Sequence, residues 1–94
     1  MSLLGTWVVD TRDRRALDEL GDVLLEFHDD GQLTYTIRDG TREQLIVMRY
    51  RLDGATIVTD QPSAPNVERT AWSLSSDEVL TLRFDGVPYR FRRL

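Results

Sequence analysis

The chain contains no cysteine, which excludes disulfide bonds, thiolate zinc sites, iron–sulfur clusters and cysteine nucleophiles. It also contains no lysine, so all twelve basic side chains are arginines. No apolar run reaches the roughly 18 residues that a membrane-spanning helix requires. Only three prolines are present, and two of them lie between Gln61 and Asn66, where we predict an irregular loop.

Basic charge is outweighed by acidic charge, and the net charge is −4 over 94 residues. Nucleic-acid-binding domains are usually basic, so we do not expect a nucleic-acid partner. The N-terminus has neither the basic segment nor the apolar core of a signal peptide, which predicts a cytoplasmic protein if this start is native. If Met1-Ser2-Leu3 is instead a cloning remnant, the compartment stays open. The length and the 40% hydrophobic content predict a single globular domain over residues 1–94.

Apolar and polar residues alternate along most of the chain, as they do in half-buried β-strands. The alternation is clear from Leu33 to Arg38 and from Leu80 to Phe84. Asp-Gly pairs stand between the alternating segments, and this dipeptide favours tight hairpin turns because glycine accepts a positive φ. We therefore predict eight strands, at residues 4–10, 22–28, 32–38, 43–52, 55–60, 67–75, 79–85 and 87–93.

One helix is predicted, from Arg14 to Leu20, with Asp13 or Thr11 as its N-cap and Gly21 at its C-terminal end. Eight short antiparallel strands in sequence order leave two exposed edges unless the sheet closes on itself. The predicted fold is therefore all-β, an eight-stranded antiparallel up-and-down barrel with a short helix after the first strand. A two-sheet β-sandwich is the alternative.

Alternation places all eight aromatic residues on the inward face of the barrel, together with aliphatic residues such as Leu52. An eight-stranded barrel is just wide enough to be filled by side chains or to hold one small ligand, so these rings predict at most a small cavity. Glu68 also points inward, and we expect it at the rim, bonded to an arginine or a tyrosine. The predicted ligand-contacting residues are Trp7, Phe27, Tyr35, Tyr50, Glu68, Trp72, Phe84, Tyr89 and Phe91.

The opening segment Leu4-Gly5-Thr6-Trp7 resembles the Gly-X-Trp signature of the calycin superfamily, which includes lipocalins, fatty-acid-binding proteins and avidins. The likeness is greatest to short bacterial lipocalin-like domains, mostly of unknown function. The resemblance implies a tryptophan packed across one end of the barrel against an arginine of the last strand. Arg90, Arg92 and Arg93 lie on that strand, and Arg93 is the one that can point inward beneath Trp7. The further signature segments of classical lipocalins and the polar ligand set of avidins have no counterpart in this sequence, so no particular ligand is implied.

Two further groups of residues are candidate sites. Leu24, Leu45 and Val47 are apolar at positions that alternation sends outward, which predicts an interface with a second copy or another partner. His28-Asp29-Asp30 contains metal-ligating residue types, but aspartates at a hairpin tip favour the turn itself. We predict no metal site and no cofactor.

Two functional hypotheses follow from these patterns. The first is a non-enzymatic barrel that binds a small hydrophobic ligand in its interior. The second is an interaction or assembly module with a filled core, acting through an outer-face homodimer or partner interface. No catalytic residues are predicted, because the serines have no nearby histidine and no phosphate-binding glycine loop is present. The volume and lining of the barrel interior distinguish the two hypotheses.

Overall fold

The structure is a computed structural model that describes residues 2–61 and 66–94. The chain forms a closed barrel in which every pair of neighbouring strands is antiparallel and β8 pairs with β1. The predicted up-and-down barrel is therefore confirmed, and the sandwich alternative is excluded. Met1 and the central part of the predicted 61–66 loop lie outside the described residues.

The elements in chain order are β1 (Gly5–Val9), α1 (Arg14–Leu20), β2 (Asp22–Phe27), β3 (Gln32–Asp39), β4 (Arg42–Asp53), β5 (Thr56–Asp60), β6 (Val67–Leu74), β7 (Val79–Phe84) and β8 (Val87–Arg93).

The single predicted helix is confirmed with its bounds and its cap. The Asp13 carboxylate accepts a hydrogen bond from the Ala16 amide at 3.2 Å, and Gly21 ends the helix with a φ of 77°. Seven residues are too few for a stable isolated helix, so α1 depends on packing. Ala16 is fully buried, and Leu17 packs against the barrel core. Within the described residues, no helix has both the length and the apolar character needed to cross a membrane.

The strand directions give the barrel two distinct ends. Because α1 connects β1 to β2, it lies at the same end as the β3–β4 turn, the last residue of β5, the first residue of β6 and the β7–β8 turn. We call this the helix end. The opposite end carries the N-terminal segment and the β2–β3, β4–β5 and β6–β7 turns, and we call it the N-terminal end. At the β7–β8 turn both Asp85 and Gly86 adopt positive φ, 53° and 80°, as a tight hairpin turn requires.

The predicted inward face forms the core. Its buried members come from six strands and include residues with no solvent exposure, such as Trp7, Val23 and Phe91. Half-buried residues from β3, β4, β6, β7 and β8 pack against this core. They are Tyr35, Ile37, Met48, Tyr50, Trp72, Leu74, Phe84 and Val87.

Leu52 departs from the prediction, because it is 47% exposed although its cross-strand partner Ile57 is buried. Leu52 lies next to the β4–β5 turn, where the longest strand reaches the N-terminal end of the barrel. Alternation identifies the face on which a side chain lies, but it does not say whether the barrel wall continues at that height.

Candidate functional site

The barrel interior holds a cavity of about 450 Å³, whose lining includes Glu19, Leu20 and Glu68 at the helix end. Exposed Glu68, at the start of β6, belongs to the lining, so the cavity reaches solvent there. The volume exceeds the small cavity that the aromatic content predicts, and it falls within the range of about 300–1,000 Å³ for small-molecule sites. The lining comprises Glu19, Leu20, Leu25, Phe27, Leu33, Tyr35, Met48, Ile57, Thr59, Glu68, Thr70, Leu82, Phe84 and Tyr89.

The cavity persists because half of the aromatic rings lie elsewhere in the barrel. Trp7 and Phe91 are fully buried outside the lining. Tyr50 and Trp72 also lie outside the lining, and both are bonded to turns at the N-terminal end. The Tyr50 hydroxyl donates to the His28 carbonyl at 2.7 Å, and the Trp72 indole N–H donates to the Gly54 carbonyl at 3.2 Å.

The nine predicted ligand-contacting residues therefore divide into two groups. The structure brings together Phe27, Tyr35, Glu68, Phe84 and Tyr89 around the cavity, and it places Trp7, Tyr50, Trp72 and Phe91 outside it. Three lining residues were absent from the predicted inward face: Glu19, Leu20 and Thr59. Thr59 could have been found, because it alternates with Ile57 and pairs with Glu68. No local signal placed Glu19 and Leu20, because only the closed barrel shows where α1 lies.

Tyr35 supplies an unpaired polar group inside the cavity. Its ring is half-buried, and its hydroxyl has no protein hydrogen-bond partner among residues 2–61 and 66–94. A phenol is neutral at physiological pH, and burial raises the pKa of Tyr35 further above its ordinary value. A neutral phenol both donates and accepts, so this hydroxyl can bond to a polar atom of a ligand.

Tyr89 connects the cavity wall to the helix. Its hydroxyl donates a hydrogen bond to the Glu19 carboxylate, which ties α1 to β8 beside the cavity. This hydrogen bond, with a smaller effect of burial, raises the pKa of Tyr89. A second connection lies nearby, where the backbone amide of Arg90 donates to the Asp13 carboxylate at 3.0 Å.

Glu68 lies at the rim of the cavity, as predicted. The prediction that it bonds to an arginine or a tyrosine is wrong. Its carboxylate accepts a hydrogen bond from the Asn66 side-chain amide at 3.2 Å. The nearby Arg69 instead forms an ion pair with Asp53, at 3.2 Å. Arg69 is adjacent to Glu68 on β6, and alternation therefore turns its side chain to the outer face, away from the carboxylate.

The N-terminal end of the barrel is closed by the predicted arginine–tryptophan contact. The Arg93 guanidinium lies 4.3 Å from the centre of the Trp7 ring, and it donates to the carbonyls of Ser2 and Leu4, the latter at 2.7 Å. The Trp7 indole N–H donates to the Leu3 carbonyl at 2.9 Å. Gly5 has a φ of 122°, and a Cβ there would lie 2.8 Å from Arg93 Nη1, so the Gly-X-Trp spacing leaves room for the arginine.

The outward apolar residues form a row across neighbouring strands. Leu24 pairs with Thr36, and Thr36 pairs with Leu45, so the three side chains lie side by side on the outer face. Leu45 is 62% exposed and Val47 is 44% exposed, whereas Leu24 is half-buried. Thr36 is only 5% exposed because apolar neighbours cover it on both sides.

The histidine-containing turn uses its polar groups to support the hairpin. The Asp30 carboxylate accepts from the Gln32 amide at 3.0 Å, and His28 Nε2 lies 3.3 Å from the Thr34 hydroxyl. Both contacts are local to the β2–β3 hairpin, which is the turn role that the sequence favours. No group of three or more metal-ligating side chains occurs within the described parts of the chain.

Comparison of the chain with protein-family models, with curated proteins and with solved structures gave no significant match.

Proposed function

We propose that this barrel is a binding protein that holds one small hydrophobic molecule in its interior, as the calycin resemblance implies. The cavity of about 450 Å³ carries the proposal, because its wall is built mainly from aliphatic and aromatic side chains. The few polar groups in the lining include the Tyr35 hydroxyl, which has no hydrogen-bond partner among the described residues, and they can orient a ligand without filling the space. We propose a binding role in which no bond of the ligand is broken.

Titration with the neutral dye Nile red tests this function, because the dye fluoresces when it enters an apolar site. We expect saturable binding with one dye per chain. Thr70→Phe places a ring in the cavity from β6 and should weaken binding by more than about ten-fold, which is 1.4 kcal/mol of binding free energy. Thr70 is half-buried and lines the cavity beside Ile57, its cross-strand partner on β5.

Ser73→Phe is the matched control. It adds the same ring to the same strand, but alternation turns position 73 to the outer face, where Ser73 is exposed. We expect this variant to bind the dye as the unmodified protein does. Non-saturable binding, or equal loss in the two variants, would contradict an internal site.

A homodimer through the outer face of β4 is a second candidate, favoured by the order of the exposed side chains on that strand. Four successive outward-facing positions of β4 are Glu43, Leu45, Val47 and Arg49, which are acid, apolar, apolar and base. A two-fold axis between Leu45 and Val47 sets Leu45 of one copy against Val47 of the other, and Glu43 against Arg49. A pattern that complements itself in this way is what an isologous interface requires.

Sedimentation velocity over a range of concentrations tests the dimer. We expect Glu43→Arg to weaken association by placing like charges together, and the charge swap Glu43→Arg/Arg49→Glu to restore it. Restoration separates a specific interface from a general effect of charge. A wild-type protein that stays monomeric at the highest concentration measured would rule out this candidate.

A further inference from the structure

We propose that the ligand of the cavity is a hydrophobic amine, with its apolar part among the lining side chains and its protonated amino group at the mouth. This assignment rests on the proposed ligand-binding function and specifies the chemical class of the ligand. The observation behind it is the sign of the charge in the lining, since both charged residues there, Glu19 and Glu68, are glutamates.

The two carboxylates reach the cavity from different elements. Glu19 belongs to α1, and Glu68 lies at the start of β6, beside the loop that follows β5. Each already accepts one hydrogen bond, Glu19 from the Tyr89 hydroxyl and Glu68 from the Asn66 amide. A carboxylate has about four lone-pair sites, so both can still accept from an ammonium group. A charge-assisted bond of this kind is stronger than one between neutral groups.

Aromatic rings strengthen the preference for a cation. Four rings line the cavity, from Phe27, Tyr35, Phe84 and Tyr89, and the last two have centroids 5.3 Å apart. The face of an aromatic ring attracts a nearby ammonium group. The Tyr35 hydroxyl, which lacks a protein partner within residues 2–61 and 66–94, adds a neutral acceptor deeper in the wall.

Within the described residues, no arginine belongs to the cavity lining. Arg15 lies one helical turn before Glu19 on α1 and acts electrostatically on Tyr89. Arg69 and Arg83 line an adjoining groove on the outer surface, which shares Glu68, Thr70 and Phe84 with the cavity wall. Arg69 is paired with Asp53 at 3.2 Å, and Asp85 lies in the same groove as Arg83. A carboxylate headgroup in the cavity would therefore face Glu19 and Glu68, with no arginine in the described lining to pair with it.

Competition against bound Nile red by three ligands of one chain length tests the proposal. Decylamine, decanol and decanoate have the same apolar chain, and each is used at pH 7 below its aggregation concentration. An alkylamine is protonated at this pH, as a lysine side chain is. We expect decylamine to compete most strongly and decanoate least, with about a ten-fold difference between decylamine and decanol, on the scale of a charge-assisted bond.

The double variant Glu19→Gln/Glu68→Gln should weaken decylamine binding by about ten-fold, to the level of decanol, because it removes both carboxylates while keeping hydrogen-bonding groups in place. Nile red has neither a charge nor a hydrogen-bond donor, so its affinity should change far less than that of decylamine, and this comparison reports whether the cavity is intact. Glu26→Gln/Asp29→Asn is the matched control, because it removes two negative charges at positions outside the cavity lining. It should leave all three ligands unaffected, and an equal loss of decylamine binding there would attribute the preference to overall charge.

The possible results separate this proposal from the proposed function. If Nile red and decanol bind while decylamine binds no better than decanol, the amine assignment is overturned and the binding function stands. If decanoate competes as well as decylamine, recognition involves the arginines of the outer groove, and the assignment is again overturned. If neither Nile red nor any of the three ligands binds, both proposals fail.

Discussion

Replacement of Trp7 by alanine should lower the free energy of unfolding by about 3–5 kcal/mol, as expected for a large aromatic side chain removed from a core. Trp7 has no solvent exposure, and its indole N–H satisfies the Leu3 carbonyl. The loss is large beside a total stability of about 5–15 kcal/mol for a domain. Urea denaturation followed by far-UV circular dichroism gives the free-energy difference without relying on tryptophan fluorescence.

Ser73→Ala is the control for this change, because Ser73 is exposed on the outer face of β6. It should change the free energy of unfolding by no more than about 0.5 kcal/mol. If Trp7→Ala fails to fold, Trp7→Phe retains most of the ring volume and should show a smaller loss in the same direction. Equal stability of Trp7→Phe, Ser73→Ala and the unmodified protein would contradict the role assigned to the closed end.

Replacement of Arg93 by methionine should cost about 2–3 kcal/mol, because it removes charged hydrogen-bond donors while keeping an apolar stem over the ring. The guanidinium contacts the Trp7 ring and donates to two carbonyls of the N-terminal segment. Its Nε also lies 3.2 Å from a Glu78 carboxylate oxygen, in an ion pair that connects β8 to the β6–β7 turn. Urea denaturation again measures the change.

The neighbouring arginine provides a close control. Arg92 carries the same charge one position earlier, but alternation turns it outward and it is exposed. Arg92→Met should therefore change stability by about 0.5 kcal/mol or less. In a Trp7→Ala background the cost of Arg93→Met should shrink, because the ring that the guanidinium contacts has gone. Equal costs for Arg92→Met and Arg93→Met would show that the contacts at the closed end add nothing.

Local chemistry predicted the elements of this fold closely. Asp13 and Gly21 bound the helix at the predicted residues, because capping depends on side chains within one turn. The hairpins follow from Asp-Gly pairs such as Asp85-Gly86, whose positive φ values need only those two residues. The Arg93–Trp7 contact was also predictable, from alternation on the last strand together with the resemblance at Gly5 and Trp7.

The cavity could be predicted only in part. Phe27, Tyr35, Phe84 and Tyr89 were correctly placed on the inward face, but their rings do not fill the interior as we expected. Tyr50 and Trp72 are also inward, yet they find hydrogen-bond partners in turns at the N-terminal end. Those partners, the carbonyls of His28 and Gly54, lie in the β2–β3 and β4–β5 turns, 22 and 18 residues away in sequence, so no local pattern predicts these hydrogen bonds.

The amino-acid sequence by itself determined the strands, the helix and the inward face, because alternation, caps and turns act between residues close in the chain. The tertiary structure decided the closure of the barrel, because β1 pairs with β8 at the other end of the chain. Only the tertiary structure decided how far along the barrel axis each inward side chain lies. That height depends on the tilt and stagger of all eight strands together. Because of this height, Leu52 lies at an exposed rim and Trp7 contacts Arg93 at the closed end. For the same reason a cavity lies beneath Glu19 and Glu68.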